Sequence, residues 1–447
     1  MTRTVITHLP PSIHYAPFRL KPLYGSLCSN FRYKSVTVRT MASFSINGTN
    51  ALNGDTTKGS AKPTIPPRMW SINEPLSVKD FATVCEREAT KDDYPLAAAV
   101  EKKIPVYDLA AFSYEDHSSV EQLKDEWNHV LLNGPGVFAV KNLYTDHSVL
   151  DAANKAFDTI IESEASGAKG DHFAASSANS RIWNSFSKHG LADPKSFAIY
   201  YSNPWLSHIC AAWLGPAYRI TAQVNIVRPG GAPQVSHRDY HLGFQTAEAC
   251  AQFPKVMQVA SQLLTLQGAV AHSDMPLVSG PTRFLPFSQR FPQGYMAYRR
   301  PEFNEYFLSH WVSLPLSKGD GVFFNPALFH AAGANESADV QRSANLVQIS
   351  SAFGKPMETI DSLPLVEKCW DEIKDMKKEG HVREIEALVA ALAEGYPFPT
   401  NLDRRPPAPG GMAPESEQQQ LLRGLEEGWS TEEAVANLKQ LREDSKA

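Results

Sequence analysis

Two histidines, one aspartate and one arginine carry the strongest chemical signal in this chain. The segment Gln234-Val235-Ser236-His237-Arg238-Asp239 places a histidine and a carboxylate two residues apart. In extended backbone, residues i and i+2 point to the same side, so His237 and Asp239 can aim an imidazole and a carboxylate at one point. His330 follows the apolar strand Val322–Phe324 and can supply a third ligand. Two histidines and one carboxylate hold Fe(II) on one face and leave the other positions open. Arg342 follows twelve residues after His330, at the start of another strand. A buried arginine beside such a centre suits a bidentate ion pair with a carboxylate, such as the far end of a dicarboxylate whose keto-acid end chelates the metal. His272-Ser273-Asp274 is a second His-x-Asp, closer to His330, and is the weaker of the two short matches. His241 is expected to line the pocket, and His310, beside Trp311, to be an ordinary strand residue.

These residues need strands to hold them, and the middle of the chain supplies them. Ile220–Val227 is β-rich and stops at Arg228-Pro229-Gly230-Gly231; Trp311–Leu316, Val322–Phe324 and Asn345–Ile349 are further short strands with Gly/Pro punctuation. Ile104–Leu109 reads as an edge strand and Val137–Val140 as a short one. Helical spacing dominates Ser119–Leu132 and Asp151–Ile161, and returns over Leu365–Leu392. Helices, then a strand-rich core of sandwich or barrel type, then helices predict one α+β domain over residues 80–400.

The ends differ from this core. Residues 1–70 are expected to form a disordered leader; the first 54 contain no Asp or Glu but do contain Arg3, Arg19, Lys21, Arg32, Lys34 and Arg39, a transit-peptide composition. Residues 401–447 are read as a Pro/Gly spacer and a C-terminal helix opened by Ser430-Thr431-Glu432-Glu433. A mitochondrial or cytoplasmic location is expected, with Ser445-Lys446-Ala447 only loosely like a peroxisomal address. Among 447 residues, 43 Lys and Arg against 48 Asp and Glu give a net charge of −5, which argues against a nucleic-acid-holding chain. No stretch offers the ~20 apolar residues of a membrane helix. Five widely spaced cysteines without a C-x-x-C pair predict neither a disulfide framework nor a zinc knuckle.

Taken together, these motifs resemble the Fe(II)/2-oxoglutarate dioxygenases, and within them the phytanoyl-CoA dioxygenase family. The resemblance covers about residues 100–355. It rests on His237-Arg238-Asp239, on Gly280-Pro281-Thr282-Arg283-Phe284-Leu285-Pro286 with Ser288, on Lys318-Gly319-Asp320, on His330 with Gly333, and on Arg342-Ser343-Ala344. The family's loop normally ends Pro-Gly-Ser-His, where this chain has Pro286-Phe287-Ser288-Gln289. The resemblance implies a double-stranded β-helix (jelly-roll) core flanked by helices, with His237, Asp239 and His330 as Fe(II) ligands. It implies Arg342 on the distal carboxylate of 2-oxoglutarate, with Gln234 and Thr282 hydrogen-bonding that co-substrate. The activity implied is hydroxylation, or other oxidation, of a C–H bond in a small organic or acyl substrate, using O2. A carboxylate at position 239 argues against halogenation. Two alternatives stand beside it: a jelly-roll metal- or ligand-binding protein without oxygenase turnover, and a metal-dependent isomerase on the same fold.

Overall fold

Ten strands carry the architecture: β1 (Ala99–Glu101), β2 (Ile104–Asp108), β3 (Val137–Lys141), β4 (Asn179–Ile182), β5 (Arg219–Val227), β6 (Thr265–Ala271), β7 (Arg283–Phe284), β8 (Gly321–Phe324), β9 (His330–Ala331) and β10 (Arg342–Ser350). The computed structural model describes residues 65–164 and 179–447, so most of the expected leader, residues 1–64, lies outside the described residues. Eight strands form one mixed sheet in the order β1-β2-β3-β8-β6-β10-β5-β4. Only β2 and β3 run parallel; the other neighbours are antiparallel. Every residue of β5 and β6 is buried, as expected of strands covered on both faces.

The two faces of the sheet do different work. One carries Phe138, Val140, Ile220, Ala222, Val224, Leu266, Val270, Phe323, Val347 and Ile349, which pack into the large core built with the helices. The other carries Ile104, Val106, Ala139, Ala269, Val322, Phe324 and Ala344, which meet Met275, Phe284, Leu314 and Leu328 from a second layer of short segments. In that layer β7 pairs with β9, and single bridges join His237 to His330, Phe284 to Val312 and Met275 to Leu316. The period-2 alternation of each strand thus separates a helix-covered core from a face that can hold a site.

Four elements depart from expectation. Trp311–Leu316 is not a continuous strand but forms isolated backbone bridges at Val312 and Leu316, with Pro315, which has no N–H to donate, just before the second bridge. Ile104–Asp108 is not an edge: β1 covers it, and the β3 ladder begins at Val106, after Pro105. The helical stretch from Leu365 to Leu392 is two helices, Ser362–Glu379 and Val382–Leu392, broken at Gly380 with φ +85, a left-handed conformation that glycine accepts without strain. The C-terminal tail holds two helices, Glu417–Glu427 and Thr431–Asp444, each opened by a capping box. The first begins with the polar run Glu417–Gln420, which hides the spacing of Leu421 and Leu425; both leucines are buried in the main core. No helix among the described residues is long and apolar enough to cross a membrane.

Candidate metal centre and its cavity

Backbone pairing brings the first three residues together. His237 N–H donates to the His330 carbonyl at 2.9 Å and His330 N–H donates back at 3.1 Å, so the two histidines lie side by side across an antiparallel bridge. Asp239 N–H donates to the Pro326 carbonyl at 2.9 Å, which fixes the carboxylate beside them. The segment around His237 is a single bridge residue rather than a strand, yet the alternation survives. His237 and Asp239 face one way, and Arg238 turns into the protein, where its guanidinium donates to the carbonyl of Ser288 at 2.6 Å and lies over the rings of Tyr295 and Phe329. Gly294 makes room for it, since a Cβ there would overlap the guanidinium carbon.

One ligand atom from each of His237, Asp239 and His330 lies within 4.8 Å of the others. Each imidazole is oriented from behind: His237 Nδ1 is 2.9 Å from the Val235 carbonyl and His330 Nδ1 is 2.8 Å from the Leu328 carbonyl. Such bonds place the proton on Nδ1 and leave Nε2 with its lone pair toward the centre. Asp239 takes a bond of 2.6 Å from Gln267 Nε2 on its Oδ2. Burial opposes ionisation of Asp239, but the positive charge that His237 and His330 carry when protonated, with the Gln267 amide, overrides it and holds the carboxyl well below the usual carboxylate range. Burial likewise pushes His237 down, against the attraction of Asp239. An ionised carboxylate and a neutral imidazole are the forms a metal needs. Two nitrogens and one oxygen on one side of a cavity fit Fe(II) with open positions opposite.

The cavity has a volume of about 980 Å³, and all six residues singled out from the sequence border it: Gln234, His237, Asp239, Thr282, His330 and Arg342. Arg342 is 6% exposed and donates to the Ser279 carbonyl at 3.1 Å. No carboxylate among the described residues pairs with it, and burial alone pulls its pKa down to about 10. A buried guanidinium with no anionic partner is costly. Gln234 also fastens the His237 segment beside β9, since its backbone N–H donates to the Ala332 carbonyl and its Oε1 accepts from Ala332 N–H. Thr282 follows Gly280, whose φ of +71 lets the loop lie directly on Ala334.

Other histidines go elsewhere. His272 is buried, with Asn154 Oδ1 at 2.7 Å and the Tyr200 hydroxyl at 3.0 Å on its two ring nitrogens. It therefore has no free nitrogen for a metal, and Asp274 accepts from Lys318 N–H. His241 does not border the cavity, whereas Phe244 does. His310 ends a helix, Pro301–His310, rather than lying in a strand. Sequence reasoning missed Gln267, Gln223, Asn225, Gln348 and Arg181, which also line the cavity. Their signal was polar residues at alternate positions of strands that otherwise read as apolar.

Residues 132–344 match the family model for phytanoyl-CoA dioxygenase (PhyH). A curated relative, dioxygenase andF of Emericella variicolor, is 25% identical over 182 residues, 37% of this chain and 57% of the relative. The chain thus spans little more than half the length of that relative. Among solved structures, the non-heme alpha ketoglutarate dependent epimerase SnoN from nogalamycin biosynthesis is 16% identical, covering 53% of this chain and 84% of that one at a TM-score of 0.35. The alpha ketoglutarate dependent carbocyclase SnoK from the same biosynthesis is 19% identical, covering 54% and 87% at a TM-score of 0.37.

Proposed function

The chain belongs to the phytanoyl-CoA dioxygenase family of Fe(II)- and 2-oxoglutarate-dependent oxygenases, and from that premise we propose that it oxidises a C–H bond of a small organic substrate with O2. We read its two strand layers as a double-stranded β-helix. The observation that carries the functional reading is one cavity holding both the His237–Asp239–His330 cluster and the anion-free Arg342. A metal-binding protein, or an isomerase that uses no 2-oxoglutarate, has no need of that arginine.

In this reading His237, Asp239 and His330 hold Fe(II), and Arg342 receives the distal carboxylate of 2-oxoglutarate. When bound, Fe(II) and 2-oxoglutarate would supply the electrons that activate O2, the oxidant, as 2-oxoglutarate is converted to succinate and CO2. The chain's own residues do the rest. The Val235 and Leu328 carbonyls fix the imidazole tautomers, and Gln267 orients the carboxylate. Ile104, Phe284, Leu316 and Phe324 wall the cavity with apolar surface, which limits water and strengthens the charge interactions inside it.

The test is anaerobic titration with Fe(II) and 2-oxoglutarate, followed by an assay for succinate in air. The expected result is a weak visible charge-transfer band and 2-oxoglutarate-dependent succinate formation, both abolished in His330→Ala. Absence of band and succinate in the wild-type chain would return the protein to a binding role.

A further inference from the structure

Arg342 and the amides of the cavity occupy opposite ends of one strand face. On β10 the residues facing the cavity are Arg342, Ala344, Leu346 and Gln348, so about 20 Å of strand separates the arginine from the glutamine. Around Gln348 the sheet floor turns polar. Gln348 pairs in register with Gln267 on β6, and Gln223 and Asn225 stand on the same face of β5.

Their hydrogen bonds fix which end of each amide points where. Only the NH2 end of Gln267 can donate to Asp239, so its Oε1 is turned away, buried and without a partner. Arg181 donates to Gln223 Oε1 at 3.1 Å, and Gln223 Nε2 reaches Gln348 Oε1 at 3.4 Å. That leaves Gln348 Nε2 as a donor at the floor. Asn225 is 9% exposed and its Oδ1 has no partner. Buried acceptors left in this state are rare and costly in native proteins. Among the described residues the lining contains no carboxylate besides Asp239, while Arg181, Arg299 and Arg342 all border it.

We propose that Gln223, Asn225, Gln267 and Gln348 form the substrate-recognition floor, and that the substrate is a compact, hydroxyl- and carbonyl-bearing molecule without a cationic group. Its hydroxyls donate to Asn225 Oδ1 and Gln267 Oε1, and a carbonyl accepts from Gln348. A long acyl chain leaves these amides unsatisfied, and an amine finds no acid to pair with except Asp239. This substrate class rests on the oxygenase reading above, but its recognition is measurable without turnover.

Calorimetry on the full chain, anaerobic with Fe(II) and 2-oxoglutarate, measures binding of size-matched probes: hydroxylated bicyclic ketones, the parent hydrocarbon, the matching amine, and a long-chain acyl thioester. Hydroxylated ketones are expected to bind, and Asn225→Leu and Gln348→Met each to weaken them about tenfold, the loss of roughly one buried hydrogen bond. The 2-oxoglutarate affinity of both variants should stay at the wild-type value, which also reports that they fold. Preference for the hydrocarbon, amine or thioester, binding by no hydroxylated probe, or wild-type affinity in both variants overturns the proposal. Binding that follows this pattern without any stimulated succinate supports the floor and removes the oxygenase reading instead.

Discussion

In the proposed oxygenase reading, Arg342 is the residue on which co-substrate choice turns. Its guanidinium is buried, holds only the Ser279 carbonyl, and has no carboxylate partner among the described residues. Arg342→Ala leaves a desolvated 2-oxoglutarate carboxylate unpaired, a loss of ~3–5 kcal/mol, or on the order of 100- to 1,000-fold or more in half-saturation. Arg342→Lys should recover little, because an ammonium cannot make the two parallel bonds of a guanidinium. Iron content should remain that of wild type in both. Succinate formation against rising 2-oxoglutarate checks this, and wild-type half-saturation in the alanine variant would remove Arg342 from the site. This residue, like His237, Asp239 and His330, was legible because its type is costly in a core and its spacing from a neighbouring histidine is meaningful. Gln267 was not legible. A glutamine in Thr265-Leu266-Gln267-Gly268-Ala269 has no motif, and only the folded sheet puts its Nε2 at 2.6 Å from Asp239.

At the scale of elements, the second His-x-Asp shows why a motif needs its setting. His272 follows β6 and is gripped between the helix residue Asn154 and Tyr200, where burial pushes its pKa down to about 3. His189, close by and bonded to Ser196 at 2.8 Å, is pushed down to about 4 for the same reason. Between those values and the ordinary 6.5, the unfolded chain binds protons that the folded chain refuses. Stability is therefore undiminished above about pH 6.5 and falls as the pH drops below it, by up to ~1.4 kcal/mol per pH unit for each histidine. Urea midpoints measured from pH 7.5 to 4.5 should decline, and His272→Gln should decline less steeply, though from a lower starting stability. An equal slope in the variant would show that His272 protonates freely in the fold. The sequence marked Asn345–Ile349, the strand paired with β6, because alternation and Gly/Pro stops are local signals, but it did not mark β6 itself. It did not mark the cluster, because Asn154, Tyr200 and His272 meet only through packing between a helix and the sheet.

Over the molecule as a whole, the cavity depends on a sheet clamped from behind by helices drawn from both ends of the described chain. Helices His117–Leu132 and Pro204–Leu214 share one hydrophobic core with Ser362–Glu379, Val382–Leu392 and the two C-terminal helices. Leu421, Leu425, Ala434 and Leu438 are buried in it, Trp370 Nε1 donates to the Trp429 carbonyl at 2.9 Å, and Arg442 pairs with the buried Glu417 at 2.6 Å. The sequence predicts a Pro/Gly spacer followed by one docking or surface helix, since composition reports how a segment leaves a domain and not where its apolar face returns. The consequence is a stability role for residues remote from the chemistry. Leu438 has no exposed surface, so Leu438→Ala removes buried methyl groups from a packed core and should cost ~2–5 kcal/mol. None of the cavity residues lies on this helix, so the affinity of the folded variant for 2-oxoglutarate should equal that of wild type. A urea midpoint unchanged by the substitution would mean the C-terminal helices ride on the surface. A lowered midpoint with unchanged 2-oxoglutarate binding would place them in the scaffold that holds the sheet, and with it the metal centre, in shape.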